Sequence, residues 1–142
     1  MNNYDDEIRI FLVSCLRKIS YLKNCKDDIL THIAISMVAS NADRGSYLHT
    51  VNDQNVESTQ KMSIIYEGKL AITAEFDGGP ETVIEYVSKG TIINAHNFLS
   101  ERASVTSTKC LTSVAYYFLE TRQLEEISQA YKNLRKNVEQ AS

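Results

Sequence analysis

Glycine and proline are confined to the middle of this chain. All five glycines and the single proline lie between Gly45 and Gly90, so the first 44 and the last 52 residues contain neither. Both residue types interrupt helices and favour turns. The distribution therefore predicts helices at the two ends and short, turn-linked strands between them.

The N-terminal end has helical periodicity. Apolar residues recur at three- and four-residue steps over residues 8–19, which predicts an amphipathic helix after the acidic start at residues 5–7. A bend is expected over residues 20–23, and a second helix is predicted to begin near Asn24, a residue suited to capping. The first turn of this helix is expected to carry Asp27 and Asp28, and its buried stripe Ile29, Leu30, Ile33, Ala34 and Met37.

From Val38 onward the apolar pattern changes to a period of two residues, which is typical of strands. The predicted strands cover residues 46–51, 63–66, 69–76, 82–87, 103–108 and 111–119, with a polar loop over residues 54–61 and a hairpin turn at residues 77–80. One face of the strand before that turn is predicted to carry Leu70, Ile72, Ala74 and Phe76. Thr121 is expected to cap a C-terminal segment of one or two helices that reaches Val138. The fold class is therefore α+β, mainly β: an antiparallel β-roll or jelly roll of about eight short strands flanked by N- and C-terminal helices.

Charge, cysteine and histidine usage argue against several functions. The net charge is −3 with no basic stripe, so no nucleic-acid partner is expected. Three widely spaced cysteines fit a reducing compartment, and no apolar run near the start approaches the ~20 residues of a membrane span. His32, His49 and His96 do not lie at ligand spacing, so no metal is expected. Without a phosphate loop, an activated nucleophile or an acid–base pair, the chain is not expected to be an enzyme.

Several short motifs occur in a characteristic order. They are the segment at residues 16–25, the helix positions at residues 28–34, Gly45, Asn52-Asp53, the hairpin at residues 63–72 with Gly68 at its turn, the approach at residues 87–93, and Ala103-Ser104-Val105 followed by Cys110. In this order the sequence resembles the cyclic nucleotide-binding domain. The resemblance implies a β-roll between helices and a phosphate-binding cassette after Gly90. Residues 1–23 resemble the end of the linker that precedes this domain in cation channels, with the domain itself at residues 24–142, and residues 90–98 are similar to the cassettes of protist and ciliate channels.

The cassette departs from the pattern of family members that respond to cyclic nucleotide. In those proteins a Phe-Gly-Glu accepts a hydrogen bond from the ribose hydroxyl, and an Arg near the end pairs with the phosphate. Counting from Gly90 places Asn94-Ala95 at the Gly-Glu position, and counting back from residues 103–105 places Glu101 at the Arg position, with Arg102 one place late. The two counts differ by about three residues, so the cassette is shortened. The candidate ligand-binding residues are Ile93, Asn94, Ala95, His96, Asn97, Glu101, Arg102, Ala103 and Ser104.

These departures predict a cytoplasmic regulatory or assembly module of a cyclic-nucleotide-gated or voltage-gated type of cation channel that binds cyclic AMP or cyclic GMP weakly or not at all. It is expected at the cytoplasmic side of a membrane, next to the channel or transporter portion or other protein subunits, and the resemblance implies a homotetramer through the parent channel. One alternative is a functional cyclic AMP or cyclic GMP sensor, in which Arg102 turns inward and Ser104 or His96 replaces a lost hydrogen bond. The other is a stand-alone scaffold subunit of a ciliary or membrane assembly.

Overall fold

The computed structural model describes residues 3–49, 61–95 and 106–141 of the chain. Helices occupy the two ends, and strands lie between them. The helices are α1 (Asn3–Leu16), α2 (Asp27–Ser36), α3 (Thr121–Ala130) and α4 (Lys132–Ala141). The strands are β1 (Val38–Ala42), β2 (Tyr47–His49), β3 (Lys61–Glu67), β4 (Leu70–Glu75), β5 (Glu81–Val87), β6 (Ile92–Ile93), β7 (Ser107–Cys110) and β8 (Val114–Glu120).

The described strands form two antiparallel sheets. Sheet A has the order β1-β8-β3-β6, and sheet B has the order β2-β7-β4-β5. An apolar cluster joins the two sheets, with Ile65 and Val114 contributed by sheet A and Leu70 and Cys110 by sheet B. The expected antiparallel β-roll with flanking helices is confirmed.

The helices share a second apolar cluster with sheet A. Leu16 of α1, Leu30 of α2 and Leu134 of α4 are fully buried in it, beside Met62 and Ile64 of β3. Burying a leucine side chain contributes about 1.5–3 kcal/mol. Helix α1 therefore packs into the same folded unit as α2. The predicted domain boundary between residues 23 and 24 stays a prediction.

Arg17 holds the junction between α1 and α2 together. Its guanidinium donates to the carbonyls of Lys23 and Cys25, at 3.2 Å each, and forms an ion pair with Asp27 at the start of α2. The residues between α1 and α2 form turns, which include the bend predicted at residues 20–23. The direction of α1 relative to α2 is thus fixed by side-chain contacts to the backbone as well as by apolar packing.

The helix boundaries differ from the predictions in three places. Helix α1 begins earlier and ends at Leu16, because the hydrogen bonds then tighten to three-residue spacing. Asn24 does not cap α2, since the helix begins at Asp27 and Lys26 occupies the cap position without a side-chain hydrogen bond. Thr121 is the first residue of α3 and not its cap; Glu120 and Gln123 form a capping box instead. The predicted acidic first turn of α2 is confirmed.

Several strand predictions were wrong in detail. Lys61 begins β3 and is not part of the preceding loop, and the strand predicted at residues 103–108 is described as β7 (Ser107–Cys110). Residues 54–60 of that loop and the Asn52-Asp53 turn lie outside the described residues.

Phe76 is 63% exposed and does not share a buried face with Leu70, because β4 ends at Glu75 and the chain turns at Asp77 with φ 54°. The predicted strand at residues 111–119 is interrupted at its start, since residues 111–113 form the turn between β7 and β8. Gly68 makes the expected hairpin turn with φ +116°.

Candidate functional site

The segment that leads to the predicted cassette is fixed against sheet A. Strand β6 pairs with β3, with Ile93 opposite Ser63. Just before it, the amide of Gly90 donates to the carbonyl of Ile65 at 2.8 Å, and the amide of Ile65 donates to the carbonyl of Thr91 at 3.0 Å. These bonds deliver Ile93 into the apolar cluster between the sheets, where it is 7% exposed.

Asn94 and Ala95, the next two predicted cassette residues, are each tied to another element. Asn94 has φ 67°, a left-handed conformation that asparagine tolerates, and its Nδ2 donates to the carbonyl of Lys61 at 2.9 Å. The carbonyl of Ala95 accepts a hydrogen bond from Tyr21 Oη at 2.6 Å. Ala95 also packs against the helical apolar cluster. The first turn after β6 is therefore anchored to β3 on one side and to the α1–α2 junction on the other.

A small cavity lies inside the roll next to this turn. Its volume is about 110 Å³, below the roughly 300 Å³ at which ligand pockets usually begin. No charged side chain is among its described lining residues, which are His49, Ile72, Ile92, Ile93, Asn94, Thr106 and Thr108. The described wall can therefore make hydrogen bonds, but it offers no ionic partner for a phosphate.

The interior of the roll is unusually polar. His49 is 5% exposed and Thr108 is 3% exposed, and both line the cavity. Thr73, the residue after Ile72 in β4, is buried on the opposite face of sheet B, where it pairs with Val83 and Ser107. His49 and Thr108 can therefore offer hydrogen bonds to a group inside the cavity.

Solved structures with the same architecture decide the fold. A cyclic nucleotide-binding domain from Methylobacillus flagellatus matches with a TM-score of 0.77 at 15% identity, covering 96% of this chain and 74% of that one. The N-terminal domain of a transcriptional regulator from Streptomyces coelicolor matches with a TM-score of 0.75 at 17% identity, covering 89% and 88%. The chain has the cyclic nucleotide-binding domain fold. The family resemblance inferred from the motifs is thereby confirmed at the level of the fold.

A third neighbour with this cyclic nucleotide-binding fold is the regulatory subunit of a cAMP-independent protein kinase A from Trypanosoma cruzi, bound to guanosine. It matches with a TM-score of 0.67 at 17% identity over 94% of this chain and 47% of that one, so this chain spans about half of that subunit. No family model and no curated protein matches the sequence, so the likeness is structural. None of the helices in the described parts of the chain is long and apolar enough to cross a membrane.

The structure describes only the start of the predicted cassette, and the predicted ligand-binding roles stay predictions. It places Ile93 and Asn94 at the cavity and turns Ala95 toward the helices. The remaining candidates lie outside the described residues: His96, Asn97, Glu101, Arg102, Ala103 and Ser104. The proposed replacement of the phosphate-binding Arg by Glu101 therefore stays a prediction.

Tyr21 is the site residue that the motifs did not single out. Its side chain is 8% exposed, and burial raises its pKa well above the usual value of 10.0, so the phenol stays a neutral donor. Together with Ser20 and Asn24 it borders a shallow groove whose far side is Asn137 and Gln140 of α4. One residue thus contacts the cassette and lies beside the last helix.

No metal or thiol chemistry is indicated in the described residues. They contain no group of three His, Cys, Asp or Glu side chains that could hold a metal ion. The thiols of Cys15, Cys25 and Cys110 are buried and free, and burial raises the pKa of each. A thiol with a raised pKa is a poor nucleophile at neutral pH, which agrees with the prediction that these cysteines act as small apolar side chains.

Proposed function

We propose that this chain is a cytoplasmic regulatory or assembly module of a cation channel or related transporter, with a cassette that binds cyclic AMP or cyclic GMP weakly or not at all. One observation carries the loss of binding. Ala95 occupies the position that holds the ribose-binding glutamate in the family resembled. Its carbonyl accepts a hydrogen bond from the hydroxyl of Tyr21, and its side chain packs against the helical apolar cluster. This residue has no side-chain acceptor for a ribose hydroxyl.

The cavity supports the same proposal. A cyclic nucleotide carries a negative phosphate, and burying an unpaired anion costs several kcal/mol. The described lining of the cavity contains histidine, asparagine and threonine but no lysine or arginine, and its volume is about 110 Å³. Such a cavity favours a small neutral group over a phosphate.

The role as a module rests on the link between the cassette and α1. Tyr21 joins the carbonyl of Ala95 to the junction that Arg17 fixes against the start of α2. A force applied to α1 would therefore reach the cassette through these hydrogen bonds, and would reach α4 through the apolar cluster that α1 and α4 share. Such a link is what a module between a membrane portion and a regulatory site requires.

Isothermal titration calorimetry tests the loss of binding. Cyclic AMP and cyclic GMP are titrated separately into the chain, and we expect no saturable heat up to millimolar ligand. The double variant Ala95→Glu/Glu101→Arg returns the two family side chains but not the missing cassette length, and it is expected to bind more tightly than the unmodified chain. Micromolar affinity of the unmodified chain for either nucleotide would overturn the proposal.

A neutral nucleoside is a second candidate ligand. The described cavity wall is polar and contains no lysine, arginine or carboxylate, and the structural neighbour from Trypanosoma cruzi is bound to guanosine. A nucleoside has no phosphate and so needs no arginine, but a cavity of about 110 Å³ would have to widen to admit one. Binding of guanosine or adenosine without binding of cyclic AMP, weakened by Thr108→Val, would select this candidate.

The sensor alternative makes the opposite predictions for two cassette residues. If the cassette shifts by one position, Arg102 meets the phosphate and Glu101 opposes it. Replacing Arg102 with Ala then abolishes cyclic nucleotide binding, and replacing Glu101 with Ala strengthens it. Unchanged calorimetry in both variants would leave no support for a divergent sensor.

The membrane context is the remaining part of the proposal. A channel module predicts transmembrane spans in the parent transcript and a membrane-bound homotetramer, whereas a ciliary scaffold subunit predicts neither. Sequencing the full transcript and fractionating the tagged full-length protein separate these cases. A full-length product that stays in the cytosolic fraction would contradict the channel module.

A further inference from the structure

Strand β5, the second strand of the β4–β5 hairpin, is the most exposed of the described strands. Strand β5 pairs only with β4 among the described strands, and six of its seven residues are exposed. Three of them are large and apolar: Val83 is 43% exposed, Ile84 is 53% exposed and Tyr86 is 71% exposed. An exposed apolar patch of this kind on a sheet edge is typical of an interaction surface.

A β-bulge places these three side chains on one face. Ile72 pairs with Glu85, but its neighbour Thr73 pairs with Val83, so Ile84 is the extra residue on β5. In a regular strand Val83 and Ile84 would point to opposite faces. The bulge turns both toward the face that carries Tyr86, whereas Glu85 pairs with the cavity residue Ile72 and lies on the other face. We call the face with Val83, Ile84 and Tyr86 the outer face.

The two ends of the hairpin carry opposite charge. Glu75 and Glu81 face each other directly at the tip, with Asp77 in the turn beyond them. Like charges directly opposite in a sheet are destabilising, so folding does not explain this pair. Glu81 accepts a hydrogen bond from the hydroxyl of Tyr47 at 2.8 Å, and the ammonium group of Lys109 lies 5.8 Å from the centre of the Tyr47 ring. No described cation lies within ion-pair distance of Glu75 or Glu81.

The base of the hairpin is basic. Lys69 directly precedes the first residue of the hairpin, and Lys89 lies two positions after its last residue; both line a groove of about 600 Å³, together with Glu67. Lys69 also lines an adjoining groove of about 460 Å³ with Tyr86 and Leu111. Neither lysine forms an ion pair with a described carboxylate. Lys89 lies 4.8 Å from the ring centre of Tyr66, which fixes its position.

The hairpin thus has an acidic tip, an apolar middle and a basic base. Two copies placed antiparallel are complementary, because the acidic tip of each then meets the basic base of the other. We propose that a second copy of this chain packs against the outer face of the hairpin, antiparallel and about a two-fold axis, so that each tip meets the other copy's base. The contact places Glu75 and Glu81 of one copy near Lys69 of the other and buries Val83, Ile84 and Tyr86. A parallel arrangement would bring acid against acid. Two-fold contacts of identical surfaces are the commonest form of homo-oligomer.

Charge-reversal variants test the arrangement directly. The tip variant is Glu75→Lys/Glu81→Lys, which keeps one like-charge pair across the hairpin, and the base variant is Lys69→Glu/Lys89→Glu. Each alone is expected to weaken self-association at least about tenfold, because two attractive contacts become repulsive. An equimolar mixture of the two variants is expected to form a heterodimer, because the reversed tip then meets the reversed base.

Sedimentation velocity from micromolar to millimolar concentration measures the association. The unmodified chain is expected to dimerise, more weakly at high salt, and the control Glu125→Lys/Glu126→Lys on exposed positions of α3 is expected to dimerise equally. Because Lys89 packs on Tyr66, thermal melting checks the base variant, and Lys69→Glu alone replaces it if the fold is lost. A chain that stays monomeric, or single variants that associate as well as the unmodified chain, would overturn the proposal. So would a mixture that fails to associate, and in that case a basic partner protein becomes the better occupant.

Discussion

Removing the hydroxyl of Tyr21 tests whether the α1–α2 junction holds the cassette. The variant Tyr21→Phe keeps the buried ring and deletes the 2.6 Å hydrogen bond to the carbonyl of Ala95. A hydrogen bond of this kind contributes about 0.5–1.5 kcal/mol, and leaving its acceptor unsatisfied costs about 1–3 kcal/mol when it is fully buried. Ala95 is only partly buried, so we expect a loss of about 1 kcal/mol. This corresponds to a decrease of roughly 4 °C in the melting temperature of a domain this size.

Two measurements separate a local effect from a global one. Urea unfolding followed by circular dichroism gives the free energy of unfolding, and native-state hydrogen exchange reports the amides of residues 93–95 separately from those of α2. We expect faster exchange at residues 93–95, beyond what the global loss explains, and no such excess in α2. The matched control is Tyr116→Phe, whose ring packs against the apolar cluster between the sheets and whose hydroxyl has no hydrogen bond among the described residues, so its stability is expected to change by less than about 0.5 kcal/mol.

The refuting result for this reasoning is a Tyr21→Phe variant with unchanged stability and unchanged exchange at residues 93–95. An equal increase of exchange in α2 and the cassette would also refute it, because the hydroxyl would then stabilise the fold as a whole. Either result would remove the link between α1 and the cassette on which the module proposal depends.

Three further predictions follow from particular residues. Gly68→Ala is expected to lower the free energy of unfolding in urea by roughly 2–5 kcal/mol, because the φ of Gly68 is +116° and a Cβ there would lie 2.7 Å from the carbonyl oxygen of Ser113. The control Gly78→Ala, whose Cβ would have nothing within 4 Å, is expected to lower it by only about 1 kcal/mol. Equal losses in the two variants would contradict the close contact at Gly68. Burial raises the pKa of Tyr21 above its unfolded value of 10.0, so its contribution to stability is present below about pH 10 and is lost as the pH rises further; a Tyr21→Phe variant that loses as much stability as the parent above pH 10 would argue against this. The three buried thiols are expected to react slowly with Ellman's reagent in the native state and rapidly in urea, and a fast native thiol would show that at least one is accessible.

The sequence allowed the architecture to be predicted because its strongest signals are local. Glycines at the corners of the roll and apolar residues at helical spacing act within a few residues of themselves. The helix caps were less predictable, since Asn24 and Thr121 are both good capping residues by type. Other residues occupy the cap positions: Lys26 in α2, and Glu120, through its capping box with Gln123, in α3.

The contacts of the candidate site were beyond local signals. Tyr21 and Ala95 are 74 positions apart, and no spacing rule brings them together. The bulge at Ile84 was equally hidden, because it depends on the register of β4 against β5 and not on the composition of either strand. The family resemblance located Asn94 and Ala95 by counting, but only the structure showed that Ala95 packs against the helices.

The anchoring of the cassette favours an assembly module over a sensor. A sensor needs two arrangements of nearly equal free energy, so that a ligand can shift the balance between them. Here the first turn of the cassette is already held by the chain itself, through Asn94 to the carbonyl of Lys61 and through Ala95 to Tyr21. A ligand that moved this turn would have to break these two hydrogen bonds before it could form new hydrogen bonds with the turn. Movement of α1 can reach the cassette without breaking these contacts, because Tyr21 belongs to the α1–α2 junction that Arg17 holds through its hydrogen bonds. We therefore expect regulation to enter through α1.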